Sequence, residues 1–212
     1  MEWKLNLSPE LKWYFITSVI ASFTVIFLTA FEWSIIDRIT PFLYMPLWAI
    51  VWIFFIFTFA ASIVCFLKWK RLGIKSLLPL SVSIATFIII YIVPFTDIWL
   101  KIDFERYKKE RNEIVQKIYN SELKPNVDHN PSLIALGKNY PYISAGGNEI
   151  VTKGNYRSKY VFFFTYRGVL DNYSGFLYVP EDRNAKNFLD LNENNSSQII
   201  HFEKNWYYVS HH

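Results

Sequence analysis

The chain has 212 residues, 52% of them hydrophobic, yet its mean hydropathy is only +0.13, so the apolar content is concentrated rather than spread. The net charge of +4 falls to +2 from Lys101 onward, where 15 Lys and Arg stand against 13 Asp and Glu; so even a balance excludes the basic footprint of a nucleic-acid polymer binder. The one cysteine, Cys65, lies inside an apolar run and excludes a disulfide framework within one chain.

Met1 to Lys12 is a short polar lead. Trp13 to Phe31 is then apolar for 19 residues, close to the roughly 20 needed to cross the hydrocarbon core. No small-residue cleavage site follows it, so it reads as a retained span and not a secretory signal. Thr17, Ser18, Ala21 and Ser22 set small side chains one turn apart, which suits close helix packing; hydroxyls bonding back to their own helix are the equal alternative.

Glu32 to Met45 reads as a connection, and Pro46 suits the first turn of the next helix. Leu47 to Leu67 is uncharged and forms the second span, with Trp48 and Trp52 one turn apart. Lys68, Lys70, Arg71 and Lys75 make the following loop basic, and Ser76 to Val93 is the third span, ended by Pro94. Trp13, Trp33, Trp69 and Trp99 sit near run ends, as interfacial aromatics do.

Short basic loops stay in the cytoplasm. Three spans then put the N-terminus inside and the C-terminal domain outside, in a bacterial inner membrane. Lys101, Arg106, Lys108, Lys109, Arg111 and Lys117 argue the other way, but long domains translocate whatever their charge.

From Thr96 a helix is predicted to about Asn120, with Phe104, Tyr107, Ile114, Val115 and Ile118 as its apolar stripe. Both charge signs occupy its polar face, which favours packing on its own domain over lying on a membrane. Lys124 to Asn130 reads as a linker, and Asn130-Pro131 as the cap of a short helix through Leu136. Five strands follow: Glu149–Lys153, Lys159–Arg167, Ser174–Val179, Gln198–Phe202 and Trp206–Ser210. Gly154-Asn155 and Lys204-Asn205 suit tight hairpins, and Asp182 to Ser197 reads as a long loop. The expected organisation is a transmembrane region at 1–95, with spans at about 13–31, 47–67 and 76–93, an amphipathic connecting helix at 96–124, and a small α+β domain with an antiparallel sheet at 125–212.

The densest polar constellation is Tyr166-Arg167-Gly168-Val169-Leu170-Asp171-Asn172-Tyr173-Ser174-Gly175. Arg167 could hold an anion oriented by Asp171, with Asn172, Tyr173 and Ser174 as further ligand or partner contacts. The commoner reading of such a stretch is a hairpin loop pinned by an Arg167–Asp171 pair. His129, His201, His211 and His212 lack metal-ligand spacing, so no metal or cofactor is expected. Asn172 and Phe176 stand where a nucleophile elbow around Ser174 needs glycines, and no catalytic residue is predicted. The three spans carry no charged residue, which argues against a pump or a channel core within one chain.

The run Phe163 to Tyr178, with its Arg167-Gly168…Leu170-Asp171…Tyr173-Ser174-Gly175 core, and the closing Asn205-Trp206-Tyr207-Tyr208-Val209-Ser210 resemble the tail of small uncharacterised bacterial membrane proteins. The resemblance implies a recurring module and no activity. The functional expectation is a non-enzymatic, membrane-anchored interaction protein with a protein partner, protection against a membrane-active toxin being one form of it, and homo-oligomerisation an open option. The alternative is a membrane effector whose domain senses a small anion or nucleotide.

Overall fold

The computed structural model describes residues 7–154, 159–168, 172–181, 183–188 and 197–211. It divides the chain into two compact units, Met1–Leu100 and Lys101–His212.

The first unit is helical. Helix α1 (Pro9–Ala30) begins ahead of the apolar run, because Ser8 accepts a hydrogen bond from the Leu11 N–H at 3.3 Å and Pro9 stands in the first turn. Helix α2 (Glu32–Leu67) corrects the sequence reading: the stretch from Glu32 to Met45 is helical and not an open connection. Its one break is Thr40, at φ 71 and ψ 155. A residue before proline is driven from the helical region, so Pro41 opens the second segment and Pro46 lies inside it. A single turn, α3 (Trp69–Leu72), and a 3-10 turn (Ile74–Ser76) lead into α4 (Leu77–Ile92).

Small residues face inward in this unit: Ser18, Ala21 and Ser22 of α1, Thr58 and Ser62 of α2, and Ser83 and Thr86 of α4 are buried. Large apolar side chains such as Phe23, Phe57 and Ile88 face outward. That inversion of the soluble pattern is what a lipid surround demands, since lipid contacts apolar groups freely and close backbone approach needs small ones. Pro9–Ala30, Glu32–Leu67 and Ile74–Ile92 are long and apolar enough to cross a membrane. Helix α5 (Phe95–Tyr119) follows Pro94, and at its start Trp99 stacks on Trp33 (5.9 Å) and donates to Ser34 Oγ (3.2 Å).

The second unit is a six-stranded antiparallel sheet. Its strands are β1 (Leu133–Ala135), β2 (Glu149–Lys153), β3 (Tyr160–Arg167), β4 (Tyr173–Tyr178), β5 (Ser197–Glu203) and β6 (Trp206–His211), in the order β1-β2-β3-β4-β6-β5. The five predicted strands are present. The helix expected through Leu136 is not: Leu133–Ala135 pairs with Glu149–Val151 as β1. Leu133 and Ile134 are buried against the sheet, and this tertiary gain overrides a local capping signal.

Central β3 and β4 are covered on both faces. On one face Tyr160, Phe162, Phe164, Leu177 and Val209 meet Ala185 and Phe188. That last pair belongs to a 3-10 turn, Ala185–Phe188, within the stretch expected as a loop; residues 182 and 189–196 lie outside the described residues. On the other face Phe104 of α5 contacts Phe176, Phe202 and Trp206 at centroid distances of 4.9 to 5.6 Å. Ile114, Val115 and Ile118 are buried too, so the amphipathic stripe packs on its own domain.

Candidate functional site

Of the polar residues flanking the β3–β4 connection that the structure describes, Arg167 and Tyr173 lie on one face of the sheet and Ser174 on the other. In a strand, successive side chains point to opposite faces, and Tyr173 and Ser174 therefore part company. Ser174 is buried and shares a 3.0 Å hydrogen bond with Thr165 Oγ. Tyr173 lies on the other face, edge-on to Phe162 (5.5 Å) and stacked on His211 (5.3 Å). Asn172 is exposed, and its carbonyl accepts from the Gly168 N–H at 2.8 Å, closing the turn.

Arg167 is the register partner of Tyr173 and shares its face. Its Nη1 donates to Glu149 Oε2 at 2.6 Å, and its guanidinium lies 5.3 Å from the Phe164 ring centroid. Asp171, the expected partner of Arg167, lies outside the described residues, as does Asn155 of the Gly154-Asn155 hairpin. The cation is thus matched by a carboxylate from the neighbouring strand β2, 18 residues earlier in the chain and outside the motif that drew attention to it. Among the described residues no cluster of three or more His, Cys, Asp or Glu could hold a metal. His201 Nε2 is 3.2 Å from the Lys204 carbonyl, and no histidine pair forms a ligand set there.

Two features escape the sequence reading. One is Arg111 of α5, which is 1% exposed. It donates to Asp103 Oδ2 at 2.6 Å, to the Asp103 carbonyl at 3.2 Å and to the Ile143 carbonyl at 3.1 Å, with its guanidinium 4.7 Å from the Phe176 ring. Burial pulls its pKa below the ordinary arginine value, and Asp103 works against that shift. It ties the helix to the segment around Ile143, where Ser144 Oγ accepts from the Phe164 N–H (2.9 Å) and Asn148 bonds the Ile143 N–H and the Pro141 carbonyl (both 3.0 Å). These polar groups are satisfied by one another, which marks a built turn.

The other feature is the contrast between the two sheet edges. Outside β1, Asn126 behaves as a one-residue strand: its Oδ1 accepts from the Ala135 N–H (2.7 Å), its Nδ2 donates to the Ala135 carbonyl (3.0 Å), and its own N–H bonds the Leu133 carbonyl (3.3 Å). The β1 edge is sealed. At the opposite edge stands β5, seven residues long, and among the described residues no strand lies beyond it. Ile200 on this strand is 51% exposed. Natural edges are guarded by charges, proline, bulges or a cover; on β5 the charge, Glu203, and the bulge stand at the C-terminal end, and Ser197 to Phe202 carries no charged residue and no proline. The signal available in the sequence was the uncharged Gln-Ile-Ile-His-Phe run; that it forms an edge is a matter of sheet order.

Neither a protein-family model, nor a curated protein, nor a solved structure matches the chain.

Proposed function

We propose that the protein is a non-enzymatic, membrane-anchored interaction protein whose C-terminal domain engages its partner by strand addition at β5. The observation that carries this reading is the β5 edge, beyond which no strand lies among the described residues, set against a β1 edge sealed by Asn126. An exposed edge presents alternating N–H and C=O groups that an extended segment can pair with, and the exposed side chains select it. Arg167 and Ser174 have their polar groups engaged within the domain, and the Tyr173 ring packs on Phe162 and His211, which supports a structural role for all three.

The helical unit supports an orientation. Glu10 at the start of α1 bonds Lys68 at 2.9 Å and also Arg71, so this end of α1 shares one end of the unit with the basic segment. Trp99 stacks on Trp33 at the end where α1 gives way to α2. By the positive-inside tendency, the Glu10 end faces the cytoplasm of a bacterial inner membrane and the chain leaves toward the outside after α4.

The test is a benzophenone amino acid in place of Ile200 in the full-length membrane protein. Irradiation is expected to yield a discrete protein adduct. Ile199→Pro is expected to abolish it, and Arg167→Ala to leave it unchanged. Absence of any adduct, or an adduct indifferent to Ile199→Pro, overturns the reading.

A further inference from the structure

We infer that the strand added at β5 is β5 of a second copy, paired antiparallel about a two-fold axis at Ile200. This rests on the strand-addition reading above and names its partner.

Antiparallel ladders alternate, each residue spending its N–H and C=O on one neighbour strand only. The Val179 N–H bonds the Asn205 carbonyl at 2.8 Å, which assigns Asn205 and every second residue after it on β6 to β4. Trp206, Tyr208 and Ser210 therefore serve β5, and their register partners there include Ile200 and Gln198. Ile199 and His201, paired with Val209 and Tyr207, are left with backbone groups turned outward. A copy related by a two-fold axis at Ile200 sets Ile199 opposite the other copy's His201, twice over, so the outward groups of both strands meet in two mutually bonded pairs.

The side chains fit the same register. Ile200 faces its own counterpart at the non-hydrogen-bonded position, where side chains come closest, and its exposed surface is covered. Glu203 falls opposite Ser197, so no like charges confront each other. Near the other end the bulge between His201 and Glu203 confines the ladder to this central stretch.

The sealed edge decides the form of the assembly. Pairing β5 with β1 of the next copy would be head-to-tail and would propagate without closing. Asn126 already occupies the outward groups of Ala135. Among the described strands that leaves β5 with β5, and that contact closes after two copies. Anchoring in one bilayer raises the local concentration of copies and favours such an encounter.

Cysteine cross-linking of the full chain in membranes tests this, in a Cys65→Ser background that removes the one native thiol. With Ile200→Cys the two Cβ atoms lie about 4.5–5.5 Å apart, at the edge of disulfide reach, and diamide is expected to yield a dimer of twice the chain mass. Gln198→Cys, whose counterpart lies four residues away across the axis, is expected to cross-link at least tenfold less. Adding Ile199→Pro to the Ile200→Cys chain is expected to abolish its dimer, while Ile199→Ala, which loses the same packing on the core but keeps the outward N–H, is expected to retain it. Equal cross-linking at both positions, persistence with proline, or a monomer throughout overturns the inference. A benzophenone adduct to a different protein, with no disulfide dimer from the Ile200→Cys chain, sinks self-pairing and leaves the strand-addition reading standing; loss of both sinks both.

Discussion

Ser18 and Ser62 meet between α1 and α2 with their hydroxyl oxygens 2.9 Å apart, and both are fully buried. Each hydroxyl also lies within hydrogen-bond distance of the carbonyl four residues earlier, Tyr14 for Ser18 and Thr58 for Ser62, both at 2.8 Å. Two protons stand against three contacts, so whichever hydroxyl donates to the other gives up its back-bond to its own helix. Close packing and back-bonding, alternatives when only the sequence is considered, are realised together. Ser18→Ala is expected to cost about 0.5–1.5 kcal/mol, the range of hydrogen bonds between membrane helices. Ser62→Leu overpacks the contact and is expected to cost roughly 1–3 kcal/mol. Unfolding of the helical unit in mixed micelles, followed by tryptophan fluorescence, checks the order of the two.

Arg111 is held by a carboxylate and two carbonyls where water does not reach. Arg111→Ala strands Asp103 and leaves a void under α5, at a cost of about 3–5 kcal/mol. Arg111→Met fills the void yet still strands Asp103, and Arg111→Met with Asp103→Leu removes both charges. The double variant is expected to recover most of the loss. Denaturant midpoints for the wild type and the three variants measure this directly.

Gly175 and Gly168 respond differently to an added methyl group. A Cβ on Gly175 would stand 2.1 Å from the Phe163 carbonyl oxygen, in the ladder between β3 and β4. Backbone cannot yield there, and Gly175→Ala is expected to destabilise by more than about 4 kcal/mol, in the range kept for core overpacking and strain. A Cβ on Gly168 meets only the outer part of the Tyr166 ring, which can swing aside. Gly168→Ala is expected to cost under about 1 kcal/mol. Thermal melts of the two variants should lie well apart.

Asn126 protects an edge, so its loss has two consequences. Asn126→Ala frees the N–H and carbonyl of Ala135, removing bonds worth about 0.5–1.5 kcal/mol each. It also creates a second open edge. If β5 pairs as proposed, sedimentation of the variant is expected to show species larger than a dimer, growing with concentration, which Ile199→Pro then suppresses.

Lys108 joins α5 to β5 through Glu203 at 2.6 Å, and that hydrogen bond holds its pKa above the ordinary lysine value. A raised folded-state pKa gives a contribution that is complete below the unfolded value and is lost as pH climbs through the folded one. The stability of the wild type is therefore expected to fall slightly as pH climbs above the ordinary lysine value of about 10.4. Lys108→Met is expected to flatten that alkaline limb in melts taken at rising pH.

The sequence by itself determined the elements whose signals are local. Apolar length gave the three spans, a period of 3.6 gave α5 with Phe104 and Ile118 on its buried face, and β-branched and aromatic runs between turn residues gave five strands. Alternation within β4 already places Tyr173 and Ser174 on opposite faces of the sheet, so that separation was legible in principle. Tertiary structure alone decided the rest. The segment around Leu133 could satisfy a cap or an edge, and burial on β2 chose the edge. Arg167 took Glu149 because sheet order places β2 beside β3, and Arg111 became a buried tie because Ile143 folds back over α5. Which strands end the sheet depends on every pairing at once, so neither the seal at Asn126 nor the open edge at Ile200 can be read from the residues that form them.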